Sequence, residues 1–301
     1  MTSGLGPGNW SAAFPTPLHH IVDDTTRTAD VQLYLKRDDL ALADVPGNKY
    51  RKLKYNMSAA MSADYPKLLT FGGAYSNLLR AVATIGQAAD LPTIGIVRGE
   101  EHHPPNRSLQ FCLDHGMELA YITREEYRQK TSPEFLAGLA DTYGEFYLLP
   151  EGASNTLAVR GCAELVDEID IHCDYITCAV GTGATMAGIV YGLDGKAQVV
   201  GFSSLKGGSF LADDVRGLLA AVGKEHLSNW WIETDFHFGG YATRKPELNE
   251  FMDWFEATHH ITLDWVYEAK MLFGVYALMA AGTFPSSSTI AAVIAGGPEP
   301  D

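Results

Sequence analysis

The chemistry of this chain is most visible around one lysine. Lys49 stands in the run Pro46-Gly47-Asn48-Lys49-Tyr50-Arg51-Lys52-Leu53, a few residues after Asp38-Asp39. The Pro-Gly-Asn turn predicts a helix beginning at Lys49, which puts the side chain near a positive helix end. Arg51 and Lys52 add like charge. Both effects disfavour a proton on Lys49, and a lysine tuned this way attacks carbonyl carbon to form a Schiff base. A basic helix start has no chemistry of its own, so the rest of the chain must supply a site around it.

Three glycine-marked turns are candidates for that site. Gly72-Gly73-Ala74-Tyr75-Ser76-Asn77 follows an apolar run ending at Phe71. Gly181-Thr182-Gly183-Ala184-Thr185 follows one ending at Val180, and Gly296-Gly297 follows one ending at Ile294. Ligands of open α/β sheets lie at the carboxyl ends of strands, and glycine lets the backbone approach them closely. The second turn is the best anion site. The amides of Gly181, Thr182, Gly183, Ala184 and Thr185 can converge on one phosphate at a helix N-terminus, with the two threonine hydroxyls as further donors. It is not a dinucleotide fingerprint, because Met186 stands where the third glycine belongs. It is not a P-loop, because no Gly-Lys-Ser/Thr follows.

Other chemistries find no pattern. The pairs His19-His20, His102-His103 and His259-His260 lack the spacing of metal ligands, so no metal is expected. No Gly-x-Ser-x-Gly elbow marks a hydrolase. Cys112, Cys162, Cys173 and Cys178 show no Cys-x-x-Cys spacing and read as ordinary thiols of a reducing cytosol.

The elements that must position these residues alternate. Strands are predicted at 31–36, 68–71, 93–97, 117–121, 146–148, 175–180, 197–202, 230–232 and 289–294. Several are apolar without alternation, as strands covered on both faces are. Helices are predicted at 49–61, 76–89, 155–169, 247–259 and 268–281, with Ser76 and Asn155 as N-caps. The apolar stretch 271–284 is too short to span a membrane and reads as a buried helix. Strand and helix in alternation imply an α/β architecture of mostly parallel sheets flanked by helices. No Pro/Ser-rich linker separates two halves, so two domains would share the chain discontinuously.

The net charge of −15, from 37 acidic and 22 basic residues, argues against nucleic acid as a partner. With 46% hydrophobic residues in 301, the chain can bury a large core. No basic start followed by an apolar stretch marks a signal peptide, so a cytoplasmic protein without a membrane partner is expected.

Taken in order, these motifs resemble the pyridoxal-phosphate (PLP) dependent family of 1-aminocyclopropane-1-carboxylate (ACC) deaminases and D-cysteine desulfhydrases. The likeness runs from Leu35-Lys36-Arg37-Asp38-Asp39 to Gly296-Gly297. Its most specific part is Lys-Arg-Asp-Asp followed by Gly-Asn-Lys-x-Arg-Lys-Leu. The resemblance implies a tryptophan-synthase-β-like fold of type II. A large PLP domain (1–52 and 156–301) would be interrupted by a small one (53–155), in a homodimer acting on a small amino acid. It implies that Lys49 carries PLP and shuttles protons, that Asn77 bonds the ring oxygen, and that Gly181 to Thr185 cradle the phosphate. Ser76 would hold the substrate carboxylate or assist proton transfer. Tyr267 would lie against the ring, with Glu268 as a carboxylate near the pyridine nitrogen, and Tyr241 would be the second active-site tyrosine, either phenol acting where its pKa is lowered.

The chain departs from the family at two places. Leu78 follows Ser76-Asn77 where histidine is usual, and Ile294-Ala295 precedes the last glycine pair where His-Thr or His-Leu is common. Glu268 is the residue of the ACC-opening branch, whereas the desulfhydrase branch tends to carry threonine. The implied activity is β-elimination on a D-amino acid such as D-cysteine. The alternatives are ACC ring opening to 2-oxobutanoate and a PLP-binding protein with little turnover.

Overall fold

Runs of β-branched and apolar residues without alternation become strands buried on both faces. The computed structural model describes residues 14–42 and 45–296; Gly297, the second residue of the last glycine pair, lies outside them. Ten strands form: β1 (Leu18–Ile21), β2 (Gln32–Arg37), β3 (Leu68–Gly73), β4 (Thr93–Arg98), β5 (Met117–Ile122), β6 (Tyr147–Leu149), β7 (Tyr175–Val180), β8 (Gln198–Ser203), β9 (Trp230–Glu233) and β10 (Thr289–Ile294). The nine expected strands are present within a residue or two. β1 was not anticipated, because Leu18-His19-His20-Ile21 lacks a β-branched or apolar run.

The strands divide between two sheets. One has the order β1-β2-β10-β7-β8-β9 and is parallel except for β1, which runs antiparallel to β2. The other has the order β5-β4-β3-β6 and is wholly parallel. The chain leaves the first sheet after β2, builds the whole second sheet, and returns at β7.

Helices cover both faces of each sheet. They are α1 (Asp24–Ala29), α2 (Gly47–Ser62), α3 (Asn77–Ala88), α4 (Arg107–Asp114), α5 (Arg124–Tyr127), α6 (Pro133–Tyr143), α7 (Thr156–Asp167), α8 (Ala184–Leu193), α9 (Leu211–Ala221), α10 (Pro246–His259) and α11 (Glu268–Ala280). On the larger sheet, α10 and α11 pack one face through Phe255, Leu272 and Val275, while α7, α8 and α9 pack the other through Leu165, Ile189 and Val215. On the smaller sheet, α2, α3 and α4 face α5 and α6 across the strands. Ser76 and Asn155 cap α3 and α7 as expected, their side chains accepting from Leu79 N and Ala158 N. The apolar stretch after residue 271 is the buried body of α11, which stops at Ala280, ahead of Pro285. Among the described residues no helix is long and apolar enough to cross a membrane.

α2 belongs to both units. Leu53, Met57 and Ala60 bury into the core of the smaller sheet. Its first turns are bound to the larger one by a buried ionic cluster. Arg51 donates from Nε and Nη2 to both oxygens of Asp38 at 2.7 and 2.9 Å, and from Nη1 and Nη2 to both oxygens of Glu168 at 2.8 and 2.9 Å. Lys36 on β2 donates to Glu168 at 2.8 Å, and the Thr16 hydroxyl to Asp38 at 2.7 Å. Burial alone would raise the Glu168 carboxyl, but the hydrogen bonds from Arg51 and Lys36 outweigh it and hold the group below its usual range.

Neutralising Glu168 leaves the buried Arg51 guanidinium with only one of its two carboxylates. Glu168→Gln is expected to cost about 3 kcal/mol of stability near neutral pH. A carboxyl depressed on folding contributes its stability above the unfolded-state pKa and loses it as pH falls through the folded one. Urea melts at pH 7 and in the acid range should therefore show a gap between wild type and variant that closes on acidification; a gap independent of pH would mean that Glu168 does not hold the cluster as an anion.

Candidate active site

α2 begins at Gly47, two residues before the expected start, so Lys49 lies inside the first turn. Its backbone N–H donates to Pro46 O at 2.8 Å, and Asn48 N donates to Ala295 O at the carboxyl end of β10. The expected glycine turn after β10 thus abuts the lysine turn, with Pro46 3.2 Å from where a Cβ of Gly296 would lie. Lys49 Nζ donates to Asn48 Oδ1 at 3.3 Å. Burial pushes its ammonium down to about 7, and Lys52 adds to the effect, while Glu268, Cys162 and Asp264 oppose it. Arg51, set beside Lys52 in the sequence expectation, is instead paired with Asp38 and Glu168.

The turn after β7 has the form expected of an anion cradle. Gly183 caps α8 at φ +82°, a conformation that L side chains resist, and Thr185 is buried. Thr182 receives the Ser154 hydroxyl on Oγ1 at 2.7 Å, which leaves its own O–H proton free to donate. Gly152 packs so closely on Thr182 that no Cβ would fit there. The Gly152 carbonyl accepts from Lys52 Nζ at 3.2 Å.

Lys52 is the observation that tests the cradle. Its side chain is buried, no carboxylate is paired with it among the described residues, and burial lowers its pKa against the weak pull of Cys162 and Cys178. A buried ammonium beside a helix N-terminus is a site short of one anion. A phosphate on the Gly181–Thr185 amides would supply it. The sequence reading treated Lys52 only as a neighbour of Lys49; its burial toward the turn could not be read from spacing.

Tyr267 closes the opposite side. It caps α11, and its ring carbon Cε1 is 3.2 Å from where a Cβ of Gly181 would lie. Its phenol is hydrogen-bonded to Tyr241, whose ring stands edge-on at 6.0 Å. Burial first, then Tyr241, pushes the Tyr267 pKa well above its usual value. The expectation of a lowered phenol is therefore corrected for Tyr267: burial keeps its hydroxyl protonated, so it is not a resting base.

Glu268 is also corrected. It is buried, and burial together with the adjacent, hydrogen-bonded Asp264 pushes its pKa well above the usual range. Asp264 accepts the backbone N–H groups of Val266 and Tyr267 on Oδ1 at 3.0 and 2.7 Å. Those donors favour the anion on Asp264, so the shared proton resides on Glu268. In place of one carboxylate, the α11 start carries a carboxyl pair with one proton. Asp264 was not singled out in the sequence because it belongs to no motif there; only folding sets it against Glu268.

Ser76 and Asn77 come from the other sheet, at the carboxyl end of β3, where Ser76 caps α3 and both are half-buried. α3 packs against α2, the helix of Lys49. Leu78, where histidine is usual in the family, is buried in that core. The four cysteines are free and buried, and no cluster of three or more metal-ligating side chains occurs among the described residues.

Comparison with known proteins identifies the family. The chain is 29% identical to a bifunctional D-cysteine desulfhydrase/1-aminocyclopropane-1-carboxylate deaminase of Arabidopsis thaliana, over 88% of this chain and 71% of that one. It is 27% identical to a 1-aminocyclopropane-1-carboxylate deaminase of a Bradyrhizobium species, over 91% and 89%. The crystal structure of an ACC deaminase homologue superposes with a TM-score of 0.80 at 23% identity, covering 99% of this chain and 95% of that one, which establishes the shared fold. A family model for pyridoxal-phosphate dependent enzymes matches residues 10–296. This chain belongs to that family and is a pyridoxal-phosphate dependent enzyme.

Proposed function

We propose that the enzyme converts a small amino acid into a 2-oxo acid and ammonia by D-cysteine desulfhydrase-like β-elimination. The observation that carries this reading is Lys49, whose ammonium burial and then Lys52 bring down to about 7 against the pull of Glu268 and Asp264. Bound PLP supplies an electron sink conjugated to the substrate nitrogen. Lys49 would hold it through Nζ, the Gly181–Thr185 amides and Lys52 would hold its phosphate, Asn77 would bond its ring oxygen, and Glu268 would serve its ring nitrogen. Lys49 Nζ would take the α-proton of the substrate. Ser76 Oγ orients the substrate carboxylate, and the Tyr241–Tyr267 pair supplies a proton to the departing group.

A second reading, ACC ring opening, is favoured by one residue. ACC has no α-proton, so its opening depends on a strong sink, and Glu268 with its proton is the side chain that would strengthen it. Both activities appear in the name of the Arabidopsis thaliana relative. We read residues 53–155 as the small domain and the rest as the PLP domain, with the line between them crossing α2. We also read the enzyme as a homodimer, and its four free, buried cysteines favour a reducing cytoplasm.

Four measurements test this account. Apoenzyme should capture PLP faster as pH rises through about 7 and then level off, since only the free amine of Lys49 reacts. Lys49→Ala should lack the visible absorbance band while melting like wild type; a band that persisted would displace Lys49 from its role. Lys52→Met should weaken PLP binding by roughly 10–100-fold, the worth of a charged hydrogen bond, and unchanged affinity would remove Lys52 from the cradle. Finally, the holoenzyme's visible spectrum should respond to D-cysteine, with pyruvate and sulfide formed. A response to ACC alone, with 2-oxobutanoate formed, would select the second reading. No response to either would leave a PLP-binding protein with little turnover.

A further inference from the structure

The turn that carries Tyr241 adopts an unfavourable backbone. Phe238 has φ +54°, Gly239 +108°, Gly240 +125° and Ala242 +50°, so left-handed conformations surround the tyrosine on both sides. Two of them fall on residues with side chains, which rarely persist there unless the surroundings over-determine them. Its own backbone bonds are few: Gly240 N donates to His237 O at 3.0 Å and Thr243 N to Gly240 O at 3.2 Å. Yet Tyr241, 42% exposed, keeps its ring against Tyr267.

What holds the turn comes from α11. Lys270 is 1% exposed and makes no ion pair among the described residues. Its Nζ donates to His237 O at 3.0 Å and Gly240 O at 2.7 Å, the same two carbonyls that close the turn's backbone bonds. Phe238 enters the core between them and meets Phe273 of α11 edge-on at 4.9 Å. Lys270 lies three residues after Tyr267, on the same side of the helix. One helix start therefore presents both the Tyr267 ring and the ammonium that fastens the turn bearing its partner.

We propose that Lys270 is a positioning residue that sets Tyr241 against Tyr267 by clamping the His237 and Gly240 carbonyls. The lysine touches neither substrate nor cofactor; it acts through Tyr241. A buried ammonium is a costly way to fill a core, which methionine would fill as well, so its two carbonyl bonds are the reason for its presence. The proposal rests on reading Tyr241 as an active-site group.

The test measures hydrogen exchange in the holoenzyme over a peptide spanning 236–244, alongside turnover. Lys270→Met should raise exchange there by tenfold or more, with the rest of α11 protected, and Lys270→Arg should restore protection in part. Lys270→Met should lower kcat about as far as Tyr241→Phe, and the double variant should be no slower than the slower single one, as expected when one residue acts through the other. Unchanged exchange, or losses that multiply in the double variant, would overturn the proposal. If Lys270→Met does not fold, Lys270→Gln, which keeps a donor, is read by the same criteria. If Tyr241→Phe alone leaves turnover intact, the role of Tyr241 fails, while exchange still decides whether Lys270 clamps the turn.

Discussion

The Arg51 cluster is the constraint on which the rest of the structure depends. α2 has to serve two sheets at once, and its apolar side chains Leu53, Met57 and Ala60 fasten it to the smaller. The guanidinium of Arg51, bidentate to both Asp38 and Glu168, ties its first turns to β2 and to the end of α7. A planar fork with its charge matched on two sides fixes orientation as well as distance, which a lysine could not do. Lys49 and Lys52 lie within a residue or two of this anchor, so their placement is inherited from it.

Two lysines on one helix turn then meet opposite needs. Lys49 must be able to lose its proton, and burial with a like charge nearby brings it to about 7. Lys52 provides that like charge, and its Nζ is bonded to the Gly152 carbonyl beside the Gly181–Thr185 turn. The two functions are coupled through electrostatics: an anion in the cradle would screen Lys52 and let Lys49 hold its proton more firmly. Across the site, Asp264 draws three consecutive features together. It accepts two amides at the start of α11, sets Tyr267 as the cap, and keeps a proton on Glu268.

Sequence and structure divide the account along physical lines. Chain-local signals were readable. Periodicity and β-branching marked nine strands, cap chemistry marked Ser76 and Asn155, and the glycine turns marked the carboxyl ends of β3, β7 and β10. The motif around Lys49 and the resemblance it carries pointed to the cofactor and its lysine before any coordinates. The resemblance also pointed to a carboxyl at Glu268 and two tyrosines at 241 and 267.

What spacing could not disclose were interactions between segments far apart in the chain, because those depend on desolvation and on partners that only folding supplies. Arg51 looked like a neighbour tuning Lys49, and tertiary contacts assigned it to Asp38 and Glu168 instead. Glu268 looked like a lone carboxylate until Asp264 was found bonded to it. Tyr267 was expected to act where its pKa fell, and burial raised it. Lys52 and Lys270 were ordinary basic letters in the sequence, while in the structure each ammonium is buried and aimed at backbone carbonyls. Residue types and local order determined which family this is; the protonation state and orientation of each group were decided only when the fold removed water from around it.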